Sequence, residues 1–177
     1  MKHVKISVVF SLCLFFIFEL CGCSIMKTDM DTYSKMAVEN DVMPTVNELG
    51  KYEDLKIKNY SHNMLFFNSE AYTVIAKYDD KEFEKQKAGI ESNYKFSKDI
   101  IEFDVSDSKL KPEFTLDGFE FRVLSEAYSE YGFPKDMYFI GINEDERKIA
   151  YIYFHDFDLD YIDSFEEFLI EDCGWEK

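Results

Sequence analysis

Two stretches near the end of this 177-residue chain are apolar on both faces of a β-strand, and this pattern constrains the fold more than any other. They cover residues 137–142 and 149–154, on either side of a charged loop. Successive side chains of a strand point to opposite faces. The second stretch therefore places Ala150, Ile152 and Phe154 on one face and Ile149, Tyr151 and Tyr153 on the other. A strand of this kind must be covered on both sides, which predicts a central position in a sheet.

The alternation of apolar and polar residues recurs along the chain and predicts further strands. These lie at residues 55–60, 64–67, 71–78, 101–105, 113–116 and 119–124. Short polar turns at 61–63 and 68–70 join the first three into an antiparallel meander. Asp117-Gly118 predicts a tight hairpin, because both residues tolerate positive φ. The fold class predicted is α+β, with an antiparallel sheet of about six strands built from a meander and hairpins.

Two helices are predicted to pack on this sheet. Asp79, followed three residues later by Glu82, has the pattern of a capping box and predicts the start of the first helix. The second is predicted from about Asp160 to Cys173, with an apolar stripe at helical spacing. The stripe comprises Tyr161, Phe165, Phe168, Leu169 and Cys173. Cys173 lies late in this stripe, which predicts a buried core thiol and not a nucleophile.

The N-terminal segment has the pattern of an export signal. Basic residues precede an apolar run at residues 6–18, which is too short to span a bilayer comfortably and suits the apolar region of a signal peptide. The motif L-x-G-C follows, from Leu20 to Cys23. The segment resembles the signal peptide of bacterial lipoproteins, which is cut before the cysteine. The charge at Glu19 and the cysteine at Cys21 depart from the usual pattern.

The resemblance implies that residues 1–22 are removed and that Cys23 is the lipid-attachment residue. One acyl chain binds a membrane only marginally, so stable anchoring takes two or more. The expected location is the bacterial cell envelope, on the membrane and facing outside the cytoplasm. The alternatives are ordinary secretion, an uncleaved anchor helix, and a cytosolic protein whose first residues belong to the core. Glu19 counts against the anchor helix, because a charge in hydrocarbon costs roughly 2.5–3.5 kcal/mol on insertion scales.

The mature chain is predicted to divide into a tether and one domain. Residues 23–44 are polar with scattered methionines, and we interpret them as a lipid-anchored tether with a possible short helix at 31–38. Residues 45–177 carry the continuous strand and helix pattern and are interpreted as a single α+β domain.

The formal net charge of −16 restricts the partners. Nucleic-acid binding depends on basic stripes that neutralise phosphates, and the sequence has none, so we expect no nucleic-acid partner. An acidic surface keeps a protein soluble, and it also attracts cationic partners. The charge therefore leaves open a solubilising role, divalent ions, or a basic protein partner.

The strongest metal candidate is a run of acids after the last strand. Asp156, Asp158 and Asp160, with Glu167, match the spacing of some Ca²⁺ ligands in an EF-hand-like loop. Tyr161 stands where that loop needs the sharp turn of a glycine. We therefore predict no metal site and interpret these acids as a solvated cluster that caps the next helix.

No motif points to catalysis, and we expect no catalytic residues and no cofactor. His62 and His155 are the only histidines after the signal segment, and a metal site would require them to converge. The function predicted is a lipid-anchored, extracytoplasmic, acidic binding domain without enzymatic activity. Two alternatives remain: an enzyme with an unrecognised carboxylate site, or an inhibitor or immunity-type protein that binds a basic partner.

The first testable prediction concerns Cys23. A bacterium that expresses the full chain and is fed a labelled fatty acid should incorporate label into the protein and hold it on the membrane. Cys23→Ala should abolish both, because Cys23 is the residue that the motif marks for lipidation and Cys21, the other thiol of the motif, lies in the segment expected to be removed. The assignment fails if label and membrane association both persist in the variant.

Overall fold

A seven-stranded antiparallel sheet forms the centre of the computed structural model. The structure describes residues 23–27, 30–39, 42–64, 67–103, 109–125, 135–156, 165–171, 173 and 175. The strands are β1 (Cys23–Lys27), β2 (Asp54–Met64), β3 (Phe67–Lys77), β4 (Ile101–Glu102), β5 (Lys109–Leu110), β6 (Glu113–Leu116), β7 (Phe119–Val123), β8 (Lys135–Asn143) and β9 (Lys148–Asp156). The sheet has the order β1-β2-β3-β9-β8-β7-β6, and β4 pairs with β5 separately. The predicted α+β class is confirmed.

The pair β8 and β9 lies at the centre of the sheet, as the apolar pattern on both faces predicts. β9 is the fourth of seven strands, between β3 and β8. Its side chains enter two separate clusters of buried residues: Ile152 and Phe154 belong to one, and Ile149 and Tyr151 to the other. Because neighbouring residues of a strand point to opposite faces, the two clusters lie on opposite sides of the sheet. We call them the Phe154 face and the Tyr151 face.

Within the described residues, three helices cover the two faces: α1 (Met30–Glu39), α2 (Asp80–Asn93) and α3 (Phe165–Glu171). Side chains of α1 and α2 are buried in the cluster on the Tyr151 face, and those of α3 in the cluster on the Phe154 face. The start of α2 is as predicted, since the Asp79 carboxylate accepts a hydrogen bond of 2.8 Å from the Glu82 N–H. Cys173 is buried on the Phe154 face, which confirms its predicted place in the core.

The interpretation of residues 23–44 as a tether is corrected by the packing. Helix α1 is present where a short helix was considered possible, but Tyr33 is fully buried and Ala37 and Met43 are nearly so. The Tyr33 hydroxyl donates a hydrogen bond to the carbonyl oxygen of Pro44. Strand β1 also pairs with β2 along its whole length. The apolar side chains of this segment are too few to stand out in the sequence, yet they complete the Tyr151 face.

The predicted three-strand meander is also wrong. Residues 61–63 and 68–70 are not turns: they continue β2 and β3, which form one long hairpin ending at Met64 and Phe67. Polar residues such as Ser61 and Asn63 disfavour strands weakly, and pairing with two neighbouring strands overrides that preference. The predicted C-terminal helix is present as Phe165–Glu171, and its predicted start at about Asp160 lies outside the described residues.

Two glycines are required by the backbone of the β6–β7–β8 region. Asp117 and Gly118 have φ values of 48° and 78°, which gives the predicted tight turn between β6 and β7. Gly141 lies opposite Phe121 in the sheet, and the Phe121 ring covers it: a Cβ at Gly141 would lie 2.4 Å from the ring. The absence of a side chain at Gly141 is therefore what lets Phe121 pack flat on β8.

The second prediction tests whether α1 belongs to the core. Tyr33→Ala should lower the free energy of unfolding by about 3–5 kcal/mol, because it removes a fully buried aromatic side chain. Val38→Ala, on the same helix but 73% exposed, is the matched control and should change stability by less than about 0.5 kcal/mol. Chemical denaturation of both variants measures the difference. If Tyr33→Ala and Val38→Ala both changed the free energy of unfolding by the same small amount, the interpretation of this segment as a tether would be restored.

Candidate functional site

An open cleft of about 510 Å³ lies between helix α2 and the hairpin formed by β6 and β7. Its volume is in the range of about 300–1,000 Å³ that is typical of ligand pockets. The cleft is lined mainly by charged side chains: Lys87, Glu91, Glu113, Glu120, Arg122 and Glu144. Four of these six groups are acidic, so the cleft carries a net negative charge.

Local structure explains how these side chains reach the cleft. Lys87 and Glu91 are four residues apart on α2, so they lie on the same side of the helix. In the β6–β7 hairpin, Glu113 is directly opposite Arg122. Residues opposite one another in an antiparallel pair share a face, which brings both toward α2 on the Tyr151 face. The tight turn at Asp117-Gly118 sets this register.

Two ion pairs cross the cleft. The Arg122 guanidinium donates to both carboxylate oxygens of Glu91, with Nη1 at 3.3 Å from Oε2. Lys87 pairs with Glu144. These contacts lower the pKa of the Glu91 carboxyl and raise the pKa of Lys87. The Arg122 guanidinium also lies 3.8 Å from the centre of the Phe96 ring, a cation–π contact that fixes its position.

The ion pairs leave two acids without a cationic partner. Glu113 and Glu120 are both exposed and form no ion pair within the described part of the chain. The two basic residues of the cleft, Arg122 and Lys87, form ion pairs with Glu91 and Glu144. The cleft therefore presents free negative charge along the β6–β7 hairpin, whereas the rings of Phe114 and Phe121 stack at 4.9 Å on the opposite, Phe154 face of the sheet.

The chemistry of the cleft suits cation binding better than acid catalysis. A general acid at neutral pH needs a carboxyl with a raised pKa, as in a buried or like-charged pair. The contact with Arg122 shifts the pKa of Glu91 in the opposite direction, so this carboxylate stays ionised. An ionised carboxylate beside unpaired glutamates attracts a cationic ligand.

A second polar cluster lies at the end of the Tyr151 face, where β8 begins and β9 ends. One carboxylate oxygen of Asp136 contacts both the Tyr153 hydroxyl at 2.9 Å and the His155 Nδ1 at 2.7 Å. The hydrogen bond to His155 is the largest cause of the lowered pKa of Asp136, and the same bond raises the pKa of His155. Burial raises the pKa of the Tyr153 hydroxyl.

The acidic run that resembled a Ca²⁺ loop is placed differently from the prediction. Asp156 is fully buried and accepts a hydrogen bond of 3.0 Å from the Ser69 hydroxyl on the adjacent strand β3. Its interpretation as a solvated residue is therefore wrong: the end of β9 is covered, and the carboxylate is held by Ser69. Glu167 is exposed on α3. Asp158 and Asp160 lie outside the described residues.

The two histidines point away from one another. His62 is opposite Ser69, and Ser69 is opposite Asp156, so all three share the Phe154 face. His155 is opposite Glu70 and Asp136, on the other face. Within the described ranges no group of three or more His, Cys, Asp or Glu side chains is arranged to hold a metal ion.

Cys23 is the first residue of β1 and lies opposite Asn63 of β2. None of the helices in the described residues is long and apolar enough to cross a membrane.

Sequence reasoning missed the side chains of the cleft and of the Asp136 cluster. The alternating pattern and the Asp117-Gly118 turn were enough to place Glu113 opposite Arg122, so that pair could have been found. The contact between Arg122 and Glu91 joins a strand to a helix, and no local pattern signals it. The same holds for Asp136 and His155, whose contact depends on the register of β8 and β9.

Comparison of the chain with protein-family models, with curated proteins and with solved structures finds no match.

The third prediction is a pH-dependent contribution of the Asp136–His155 pair to stability. His155 has a raised pKa when folded, so its contribution is full below its unfolded pKa of about 6.5 and is lost as pH rises through the folded value. Asp136 has a lowered pKa, so its contribution is present above about pH 4 and is lost as pH falls through the folded value. His155→Gln should therefore destabilise most between about pH 4 and 6.5.

Urea denaturation at several pH values measures this effect. The charges of Glu70 and Asp156 also raise the pKa of His155. The loss of stability caused by His155→Gln should therefore become smaller gradually as the pH rises above neutral. Asp136→Asn should lower the His155 pKa measured by NMR, whereas Tyr153→Phe should leave most of the shift in place. A destabilisation by His155→Gln that is equal at pH 5 and pH 9 would contradict the pairing.

Proposed function

We propose that this protein is a lipid-anchored, extracytoplasmic binding domain that captures a basic protein partner in the cleft between α2 and the β6–β7 hairpin. Cys23 attaches it to the membrane of the bacterial cell envelope. The observation that carries the proposal is the free negative charge of the cleft, at Glu113 and Glu120. The protein acts by binding and not by catalysis.

The arrangement of charge supports a specific partner surface over general solubility. A net charge of −16 would repel other acidic molecules from any part of the surface. In the cleft, however, the free carboxylates of Glu113 and Glu120 lie beside Arg122, whose contacts with Glu91 and Phe96 fix this part of the surface in position. Charged groups that are fixed in position accelerate association and select the partner by its charge.

An acid-based enzyme is less well supported by the same groups. The pKa shifts found in the cleft keep Glu91 ionised and Lys87 protonated. Catalysis by paired carboxyls would need one of them to hold a proton near neutral pH. An inhibitor or immunity-type protein remains within the proposal, because it too would bind a basic partner through acidic groups.

The fourth prediction uses a lysine octapeptide as the probe and the chain from residue 23 with Cys23→Ala. The peptide should bind, and the affinity should fall as salt is raised, since exposed charges are screened within about 10 Å at 0.1 M salt. The double variant Glu113→Gln with Glu120→Gln should weaken binding about fivefold, because each exposed ion pair is worth about 0.2–1 kcal/mol. Fluorescence anisotropy with labelled peptide measures both effects.

A matched double variant separates the cleft from the total charge. Glu166→Gln with Glu167→Gln removes the same charge from exposed positions on α3, on the Phe154 face. Affinity should change less than twofold in this control. An equal loss in both double variants would show that the peptide is held by the overall charge, and the cleft would no longer be the proposed site.

A further inference from the structure

Strand β6 forms one edge of the seven-stranded sheet and runs along the acidic cleft. It pairs with β7 on one side, and no strand of the described residues pairs with its other side. Glu113, Phe114 and Thr115 of this strand all line the cleft. An exposed edge strand presents unpaired backbone N–H and C=O groups, which can accept another strand.

The hairpin geometry shows which backbone groups of β6 face outward. In a hairpin with a two-residue turn, the residues next to the turn, Leu116 and Phe119, form a hydrogen-bonded pair. Hydrogen-bonded and non-hydrogen-bonded pairs then alternate along the strands. The Val123 N–H donates to the Pro112 carbonyl oxygen at 2.9 Å, which continues this alternation. The backbone groups of Glu113 and Thr115 therefore point away from β7.

The side chains of β6 define the strand that this edge would accept. Glu113 and Thr115 lie on the Tyr151 face, toward the acidic cleft, because they are opposite Arg122 and Glu120. Phe114 and Leu116 lie on the Phe154 face, where Phe114 packs against the core cluster. A strand added beside β6 continues both faces, so it needs basic side chains on the first and apolar side chains on the second.

The same charges discourage the wrong partner. Natural proteins protect edge strands with charged side chains and short strand length. β6 has four residues and carries Glu113, so pairing of two β6 strands would bring like charges together. A basic strand would be attracted to Glu113 where a second β6 strand would be repelled. The charge therefore favours binding of a basic partner over self-association.

We propose that the partner binds by adding an extended segment of alternating basic and apolar residues to β6, antiparallel to it. This inference rests on the proposed function, since it specifies how the cleft takes a basic partner. The basic side chains lie opposite Glu113 and Thr115 and reach Glu120 across the cleft. The backbone amides of those basic residues form hydrogen bonds with β6, because residues that face one another across an antiparallel pair share both the face and the bonding position.

The fifth prediction is tested with three forms of an acetylated octapeptide of alternating lysine and valine. The first is unmodified, the second is N-methylated at its lysine amides, and the third is N-methylated at its valine amides. All three have the same charge. The inference expects the unmodified and valine-methylated peptides to bind alike and the lysine-methylated peptide to bind at least tenfold more weakly, because only the lysine amides face β6.

A substitution in the protein tests the other side of the same contact. Thr115→Pro removes the outward backbone N–H, and proline is tolerated on an edge strand where that N–H is unpaired. Thr115→Val keeps the N–H and is the matched control. Binding of the unmodified peptide should weaken at least fivefold in Thr115→Pro and stay within twofold in Thr115→Val, with thermal unfolding of both variants confirming that they fold. The peptide series does not depend on any variant and stands if Thr115→Pro fails to fold.

The outcomes separate the inference from the proposed function. Equal binding of all three peptides, with the loss in Glu113→Gln and Glu120→Gln retained, overturns strand addition but leaves an acidic cleft that binds cations. No binding of the unmodified peptide or of the lysine octapeptide overturns both. Loss of binding with the lysine-methylated peptide alone supports the antiparallel strand at β6.

Discussion

The whole architecture depends on burying both faces of the central strands β3, β8 and β9. Each face of β9 carries large apolar side chains, and leaving either one in water would expose several residues that each contribute roughly 1.5–3 kcal/mol on full burial. One layer of helices cannot satisfy this requirement. The chain therefore places α1 and α2 on the Tyr151 face and α3 on the Phe154 face, which explains why α1 is packed in the core and is not part of a tether.

The cleft is a consequence of the same arrangement. Helix α2 is aligned over the sheet by Phe83 and Ile90, and its polar side then faces the β6–β7 hairpin at the edge. Arg122 joins the two elements through Glu91 and packs on Phe96. Because this single base is used to hold the helix against the strand, the remaining glutamates of the hairpin are left free. The pairing of Arg122 with Glu91 thus leaves the charges of Glu113 and Glu120 unbalanced.

Local patterns identified the elements whose signal lies in adjacent residues. The alternation in 149–154 identified a central strand, the Asp79–Glu82 spacing identified a helix start, and Asp117-Gly118 identified a hairpin with positive φ at both turn positions. They failed at Ser61–Asn63 and at Tyr33, where the outcome depends on distant partners. Ser61 is polar but pairs with β1 and β3, and Tyr33 is one aromatic residue in a polar segment that happens to meet an uncovered face.

The sequence by itself determined that this chain forms an α+β domain around a doubly covered antiparallel sheet, because hydrophobic periodicity is a property of neighbouring residues. It also contains the L-x-G-C motif that ends at Cys23, from which export is predicted. Only the tertiary structure decided that Asp156 is buried against Ser69, that His62 and His155 lie on opposite faces, and that Glu91 meets Arg122. These relations follow from strand register and helix placement. A shift of one residue in the register of a strand would move the side chains of that strand to the other face of the sheet.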